Sequence, residues 1–425
     1  MEEKLAINGG KPIINKEFDV YNSIGKEEVV AATEVIKSGV LSKYLGCWHE
    51  DFYGGEKVKE FERLSEEYFN VKHAVTVNSW TSGLVAAVGA LDIEPGDEII
   101  VSPWTMTASA AAILHWNAIP VFADIDYKTF CLDLESVEKN ISPYTKAIMS
   151  VDIFGQSADV DGLNSIAKKH NIKIISDTAQ APGAMYKESF AGTITDIGGY
   201  SLNYHKHIHT GEGGIVVTND DNLAERVRLI RNHAEAVVGD MGREDLNNMI
   251  GHNFRLGEIE AAMGIEQLKK LNKSVERRQQ IAKILTDELS TLEGLNTPYV
   301  PKDQTHVYYI YPLIYDSKST GVNKDLLFEA LVAEGVPSLS NRYQNIHLLP
   351  IYQKKIAYGN SGFPWTISKR NISYDEGICP NAENLNSNSY IGLGLCMYEF
   401  EDDDVYLICE AFKKIWNNIK ELKGK

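Results

Sequence analysis

Cysteine is scarce in this chain. The five cysteines (Cys47, Cys131, Cys379, Cys396 and Cys409) show neither paired spacing nor a zinc-type pattern, which excludes a disulfide framework and a cysteine metal centre. An odd, scattered set of thiols suits a reducing compartment, so a cytoplasmic setting is expected. Basic residues are also short. Against 59 Asp and Glu stand 42 Lys and Arg, a formal net charge of -17, which argues against binding nucleic acid through its phosphates. It does not forbid a phosphorylated small molecule, which local cations can hold. No uncharged apolar run reaches the length of a membrane span, so no membrane partner is expected. The opening Met1-Glu2-Glu3-Lys4 lacks the character of a signal peptide. Internal repeats and low-complexity tracts are missing as well.

What the chain does have is length and alternation. Its 425 residues, 44% hydrophobic and 24% charged, exceed one simple core, so two lobes are expected. Residues 1–24 read as an extended arm, 25–280 as a large domain and 281–425 as a small one. From His73 onward, short apolar runs (74–78, 98–101, 120–124, 147–151, 172–176) alternate with helical patterns (81–91, 106–116, 160–170). That alternation predicts an α/β fold, a mostly parallel sheet wrapped by helices. A helix over 256–271 continues as a charged one to about residue 289. After Pro298 the pattern changes to a strand (307–315), a helix (324–334) and a terminal helix (403–420), a smaller α+β lobe. Residues 359–379 are irregular and hold Phe363, Trp365 and Tyr374, which suggests a substrate lid.

Lys206 stands out by position. It lies in Ser201-Leu202-Asn203-Tyr204-His205-Lys206-His207-Ile208-His209-Thr210-Gly211-Glu212-Gly213-Gly214, between two predicted strands (197–202 and 213–220). A lysine held between a strand end and a glycine-rich turn projects its amine into a cleft. Schiff-base chemistry with pyridoxal 5′-phosphate (PLP) accounts for that; a loop lysine on the surface is the alternative. A second signal favours the chemistry. Asp177 ends the apolar run 172–176, at the sheet edge where α/β folds bind ligands. PLP needs one carboxylate against its pyridine nitrogen, so that the ring can take up electrons. Alone, Asp177 reads equally well as a helix cap.

With these residues the chain resembles the DegT/StrS family of fold-type I PLP aminotransferases. The matching pieces are Asn78-Ser79-Trp80-Thr81-Ser82-Gly83-Leu84, Pro95-Gly96-Asp97-Glu98-Ile99-Ile100-Val101, Asp177-Thr178-Ala179-Gln180, Ser201 through Gly214, and Asn253-Phe254-Arg255, in the family's order across nearly the whole chain. The resemblance implies a seven-stranded type of sheet, PLP in the large domain, and transfer of an amino group. The donor would be an amino acid, glutamate or glutamine, and the acceptor a keto sugar on a nucleotide, as in cell-surface glycan synthesis. Alternative acceptors are a cyclitol ketone or a small phosphorylated ketone. A PLP-dependent sugar dehydratase is a further alternative, although lysine rather than histidine at 206 favours transamination.

The resemblance also distributes roles. Lys206 and Asp177 are the catalytic pair. The cofactor phosphate falls to Trp80, Thr81 and Ser201, at a turn that opens a helix and so forms an anion site; ordinary capping is the alternative for Thr81. Glycine is common in the family where this chain has Trp80, which leaves backbone contacts open and a side-chain role in question. Met106 takes a place usually filled by an aromatic that covers the PLP ring, or else belongs to the core with Trp104 under the turn. Gln180 sits near the ring hydroxyl. Asn253 reaches the phosphate of a partner subunit, which implies a homodimer with shared sites, unless it belongs to a helix cap. Substrate contacts are expected from residues 42–52, Arg342, Tyr343, His347 and the segment 359–379. His205, His207 and His209 invite a metal reading, but no carboxylate or cysteine completes a pattern, and no metal is expected.

Overall fold

Apolar runs become the central sheet. The computed structural model describes residues 4–423. Its large sheet has seven strands: β1 (His73–Val77), β2 (Glu98–Val101), β3 (Ile119–Phe122), β4 (Thr145–Val151), β5 (Lys173–Asp177), β6 (Ile197–Ser201) and β7 (Gly214–Thr218). Every residue of β2, β3, β6 and β7 is buried. That is why these strands read as continuous apolar runs: both faces of the sheet are covered. The spatial order is β1-β7-β6-β5-β4-β2-β3. From β6 to β3 all neighbours are parallel. Only β7 runs the other way, antiparallel to β1 and β6. The link from β6 to β7 holds turns and no helix, and the chain reverses there.

Helices α1 (Lys26–Ser38), α2 (Glu56–Phe69), α3 (Trp80–Ala90), α4 (Ala108–His115), α5 (Leu134–Asn140), α6 (Val160–His170) and α7 (Asp221–Arg231) belong to the same unit. Ser79, Asp133, Asp159 and Asp220 accept first-turn N–H groups and start four of them. All of α3 except Thr81 is buried, consistent with a helix that is apolar on every side. α4 starts later than the pattern suggested. Met106 stays outside it because its own sulfur accepts the Ala108 N–H at 3.0 Å.

A long helix, α8 (Glu258–Leu289), leads to the second core. Its first half packs on α2 through Ala261, Ile265 and Leu268. Its end places Ile281, Leu285 and Leu289 in the second core, beside an antiparallel sheet. That sheet comprises β8 (Leu295–Asn296), β9 (Ile310–Tyr315), β10 (Leu339–Ser340) and β11 (Tyr390–Gly394), in the order β8-β9-β11-β10. Helices α9 (Lys324–Ala333) and α10 (Asp402–Asn417) complete it. The arm ahead of α1 is anchored here: Leu5 and Ile14 are buried in this core. The buried Glu334 carboxylate accepts the N–H groups of Ala6 (2.8 Å) and Ile13 (3.1 Å) and pairs with Lys414 at 3.0 Å.

The chain does not divide between the two cores at a single point. Ile346, Tyr352, Trp365, Tyr374, Cys379 and Leu385 pack on the large-sheet core. This corrects the expectation that residues 359–379 form a substrate lid. Trp365 Nε1 donates to the Tyr374 hydroxyl (2.8 Å), which donates to the Pro120 carbonyl (2.8 Å). Arg370 makes a two-pronged pair with Glu98 at 2.7 and 2.9 Å. Glu98 and Pro120 sit at the amino ends of β2 and β3, whereas β-strand carboxyl ends carry the candidate site. The aromatic side chains of this segment are a fastening for the far edge of the sheet.

Candidate active site

The carboxyl ends of β5 and β6, with the turn into α3, surround a cavity of about 340 Å³. Trp80, Thr81, Met106, Asp177, Gln180, Ser201 and Lys206 all line it. The structure therefore brings together seven of the eight residues expected at the cofactor.

Lys206 is placed by the short β6–β7 link. Its own amide donates to Asn203 O (3.0 Å), while Leu202 N–H donates to Gly213 O (2.9 Å) and closes the loop. Gly213 has φ of 155°, and a Cβ there would lie 2.7 Å from Thr210 Oγ1, so glycine is required in this tight return. The Lys206 side chain is buried, 7% exposed. Its Nζ lies 4.2 Å from the centroid of the Tyr309 ring and has no hydrogen-bond or ion-pair partner among the described residues. Burial lowers its pKa to about 8, against the opposing pull of Asp177 and Cys396. Its neighbour His205 also lines the cavity, with a pKa lowered to about 4 by burial and by Lys206. His207 turns away, Nε2 donating to the Val307 carbonyl at 2.7 Å.

Asp177 ends β5, 4% exposed. One carboxylate oxygen accepts from Trp80 Nε1 (2.7 Å) and the other from Ser109 Oγ (2.6 Å). Sequence reasoning left the Trp80 side chain without a role, and it missed Ser109 and Tyr309 altogether. The amides of Trp80 and Thr81 precede the first helical acceptor of α3 and have no partner among the described residues. Ser79 Oγ already takes the Ser82 N–H at 3.1 Å. Two free donors at a helix N-terminus are an anion site. Gln180 is held from both ends: its Oε1 accepts the Phe154 N–H (2.9 Å) and its Nε2 donates to the Tyr343 hydroxyl (3.2 Å). Tyr343 stacks on the buried Trp104, centroids 5.8 Å apart and planes 4° apart. Met106 is 59% exposed, so it is not core; it lies between this cavity and an adjoining one of about 690 Å³ that Arg342 and Tyr343 also line.

Two expected residues and one expected segment are placed elsewhere. Asn253 is exposed and outside the cavity, its Oδ1 accepting from Arg255 Nε at 2.8 Å. The next carbonyl, of Phe254, accepts the Asn78 N–H at 2.8 Å and ties this segment to the α3 turn. His347 corrects the substrate assignment: it is fully buried, bonded through Nε2 to Glu383 at 2.9 Å, and packs on Phe122. A histidine held this way braces the Gly377–Cys379 turn, whose N–H groups Glu383 also accepts. Residues 42–52 line neither cavity; the Asn232 amide fastens them through the carbonyls of Leu45 and Phe52, each at 2.9 Å.

The donor set fits PLP. It offers a buried amine without an acceptor, a buried carboxylate and a free-amide anion site around one cavity. The comparisons agree. Residues 23–381 match the model of the DegT/DnrJ/EryC1/StrS aminotransferase family. The chain is 34% identical over 400 residues to the spore coat polysaccharide biosynthesis protein SpsC of Bacillus subtilis, covering 92% of this chain and 95% of that one. It is 35% identical over 299 residues to a GDP-perosamine synthase of Caulobacter vibrioides, covering 70% and 79%. The solved aminotransferase of Psychrobacter cryohalolentis superposes with a TM-score of 0.82 at 26% identity, covering 95% and 100%.

Proposed function

The chain belongs to the DegT/DnrJ/EryC1/StrS family of PLP-dependent aminotransferases, and from that premise we propose that it aminates a keto sugar carried on a nucleotide, with glutamate or glutamine as donor. PLP, when bound, supplies the electron sink that lets the donor's α-carbon lose a proton. Lys206 would anchor the cofactor and carry that proton on Nζ. With its pKa near 8, the amine both accepts and releases a proton close to neutrality. Asp177 would face the pyridine nitrogen. The Trp80 and Thr81 amides and the Ser201 hydroxyl would hold the phosphate, Gln180 would stand by the ring hydroxyl, and Met106 would cover the ring.

The observation that carries the reading is a single cavity in which the unpartnered Lys206 amine shares space with the braced Asp177 carboxylate and the free amides of α3. The acceptor would extend into the adjoining cavity past Met106, toward Arg342 and Tyr343. The names of two relatives, a polysaccharide biosynthesis protein and a synthase of a nucleotide-linked amino sugar, support a glycan-directed product. We propose a homodimer with shared sites, since Asn253 is exposed outside the cavity of its own chain. A cytoplasmic setting suits five free thiols and a nucleotide-linked substrate.

The test is to mix PLP-loaded enzyme with glutamate or glutamine and a panel of nucleotide-linked keto sugars, cyclitol ketones and small keto phosphates, and to read products by mass spectrometry. Amination of a nucleotide-linked sugar is expected. Amination confined to the other ketones would overturn the acceptor assignment. Loss of water from a sugar with no donor half-reaction would mean a dehydratase.

A further inference from the structure

Trp80 occupies the first position of α3, directly after the Ser79 cap, and neither capping nor the helix's own hydrogen bonds call for an indole there. Local structure therefore gives no reason for it. Its ring turns inward and is 5% exposed. The indole N–H donates to Asp177 Oδ1 at 2.7 Å, opposite Ser109 Oγ on Oδ2 at 2.6 Å. The ring fits only because two other positions are glycine. A Cβ at Gly199, inside β6, would fall 2.1 Å from the Ile215 carbonyl oxygen and 2.2 and 2.4 Å from Cζ3 and Cη2 of the indole. A Cβ at Gly83, one turn into α3, would fall 2.7 and 2.8 Å from Cε3 and Cζ3. Glycine inside a strand or helix is locally unfavourable. Both positions leave room for the same ring, Gly199 for the Ile215 carbonyl as well.

We propose that Trp80 is a positioning residue for catalysis: its N–H fixes the Asp177 carboxylate from one side while Ser109 fixes it from the other, and Gly83 and Gly199 form the slot that lets the indole reach. This rests on the reading that Asp177 faces the cofactor's ring nitrogen. A carboxylate held at both oxygens cannot turn about its terminal torsion. A donor arriving from the cavity then meets an acceptor already in place, and no reorientation accompanies the reaction. An indole that merely filled space would need some acceptor for its N–H. Here the acceptor is the one carboxylate on the cavity wall that this mechanism uses.

The experiment compares two ligands of the full-length apoenzyme: PLP, and its 1-deaza analogue, in which a C–H replaces the ring nitrogen. Wild type should prefer PLP. In Trp80→Phe, which keeps an aromatic ring in the slot, that preference should shrink about tenfold, the scale of one hydrogen bond to a charged group. The whole change should come from weaker PLP binding, with the deaza analogue held as before. The kcat should fall by a similar factor at unchanged donor KM. Equal losses for both ligands would make Trp80 a packing residue and overturn the proposal. A wild type with no preference would instead overturn the role of Asp177 itself. Should Trp80→Phe not fold, Ser109→Ala tests the same two-sided hold with the indole intact: a reduced PLP preference supports it, and an unchanged preference refutes it.

Discussion

Replacing Lys206 by methionine should make the apoenzyme more stable, even as it abolishes activity. The argument is one of linkage. Lys206 is 7% exposed and has no counter-ion within bonding distance among the described residues. Its pKa falls from 10.5 to about 8 on folding. At 1.36 kcal/mol per pH unit, the folded state bears a penalty of about 3 kcal/mol for carrying this charge. A lowered lysine pKa fixes the direction. Below about pH 8 the amine is charged in both states and the penalty is complete. Between pH 8 and 10.5 the folded protein carries the neutral amine while the unfolded chain is still charged, and the penalty shrinks. Above 10.5 both forms are neutral and it vanishes. Methionine has similar length and no charge, so Lys206→Met should gain about 3 kcal/mol at pH 7. With an unfolding entropy of about 2.1 cal/mol/K per residue over 425 residues, this corresponds to a Tm rise of roughly 3 °C. The assay is thermal unfolding of cofactor-free wild type and variant from pH 6.5 to 10.5. A variant no more stable at pH 7, or a gain that persists undiminished at pH 10.5, would refute the reasoning.

Other variants probe the remaining assignments. Asp177→Asn should still take up PLP, because the α3 amides and Ser201 remain, but should slow the donor half-reaction by at least a hundredfold in stopped-flow absorbance; near-normal turnover would remove Asp177 from its role. His347→Ala should cost about 1–3 kcal/mol in denaturant unfolding, because it leaves the Glu383 carboxylate short of a partner, with donor and acceptor KM values unmoved. If Asn253 serves the partner's site, equilibrated heterodimers of Lys206→Ala with a strongly impaired Asn253→Ala should regain part of wild-type activity, since one hybrid site then holds both native residues; no regain would refute the assignment to the partner's site.

Much of this arrangement was legible before any coordinates. Strands buried on both faces announce themselves as unbroken apolar runs, and α6 falls on the pattern read for residues 160–170. Lys206 and Asp177 could be found because each ends such a run, and the ends of parallel strands share one edge. What could not be read arises between distant segments. Ser109 is an ordinary helical serine until the fold sets it against a carboxylate 68 residues later. Tyr309 lies among other tyrosines, and nothing local marks it as the ring beneath Lys206. Strands β8 and β10 are two residues each, defined by their partners rather than by any period of their own. The aromatic run 359–379 has the composition of a lid, and only contacts such as Arg370 to Glu98 and Tyr374 to Pro120 tell which edge of the sheet it grips. His347 looks the same in sequence whether it meets a substrate or a glutamate.

The anchoring of the arm ahead of α1 sets an order of events during synthesis. Leu5 and Ile14 enter a core built from β9, β11 and α10, and Asn8 is tied to Glu421 at 2.8 Å. Residues 5–14 therefore have no place to settle until some 400 more have followed. At about 5–20 residues per second that is a wait of roughly 20 to 80 s. Meanwhile the large sheet, whose strands all lie before residue 219, can assemble without them. The arm ahead of α1 is thus among the last parts to become native. Emergence of α10, rather than of the arm, is the event that closes the second core.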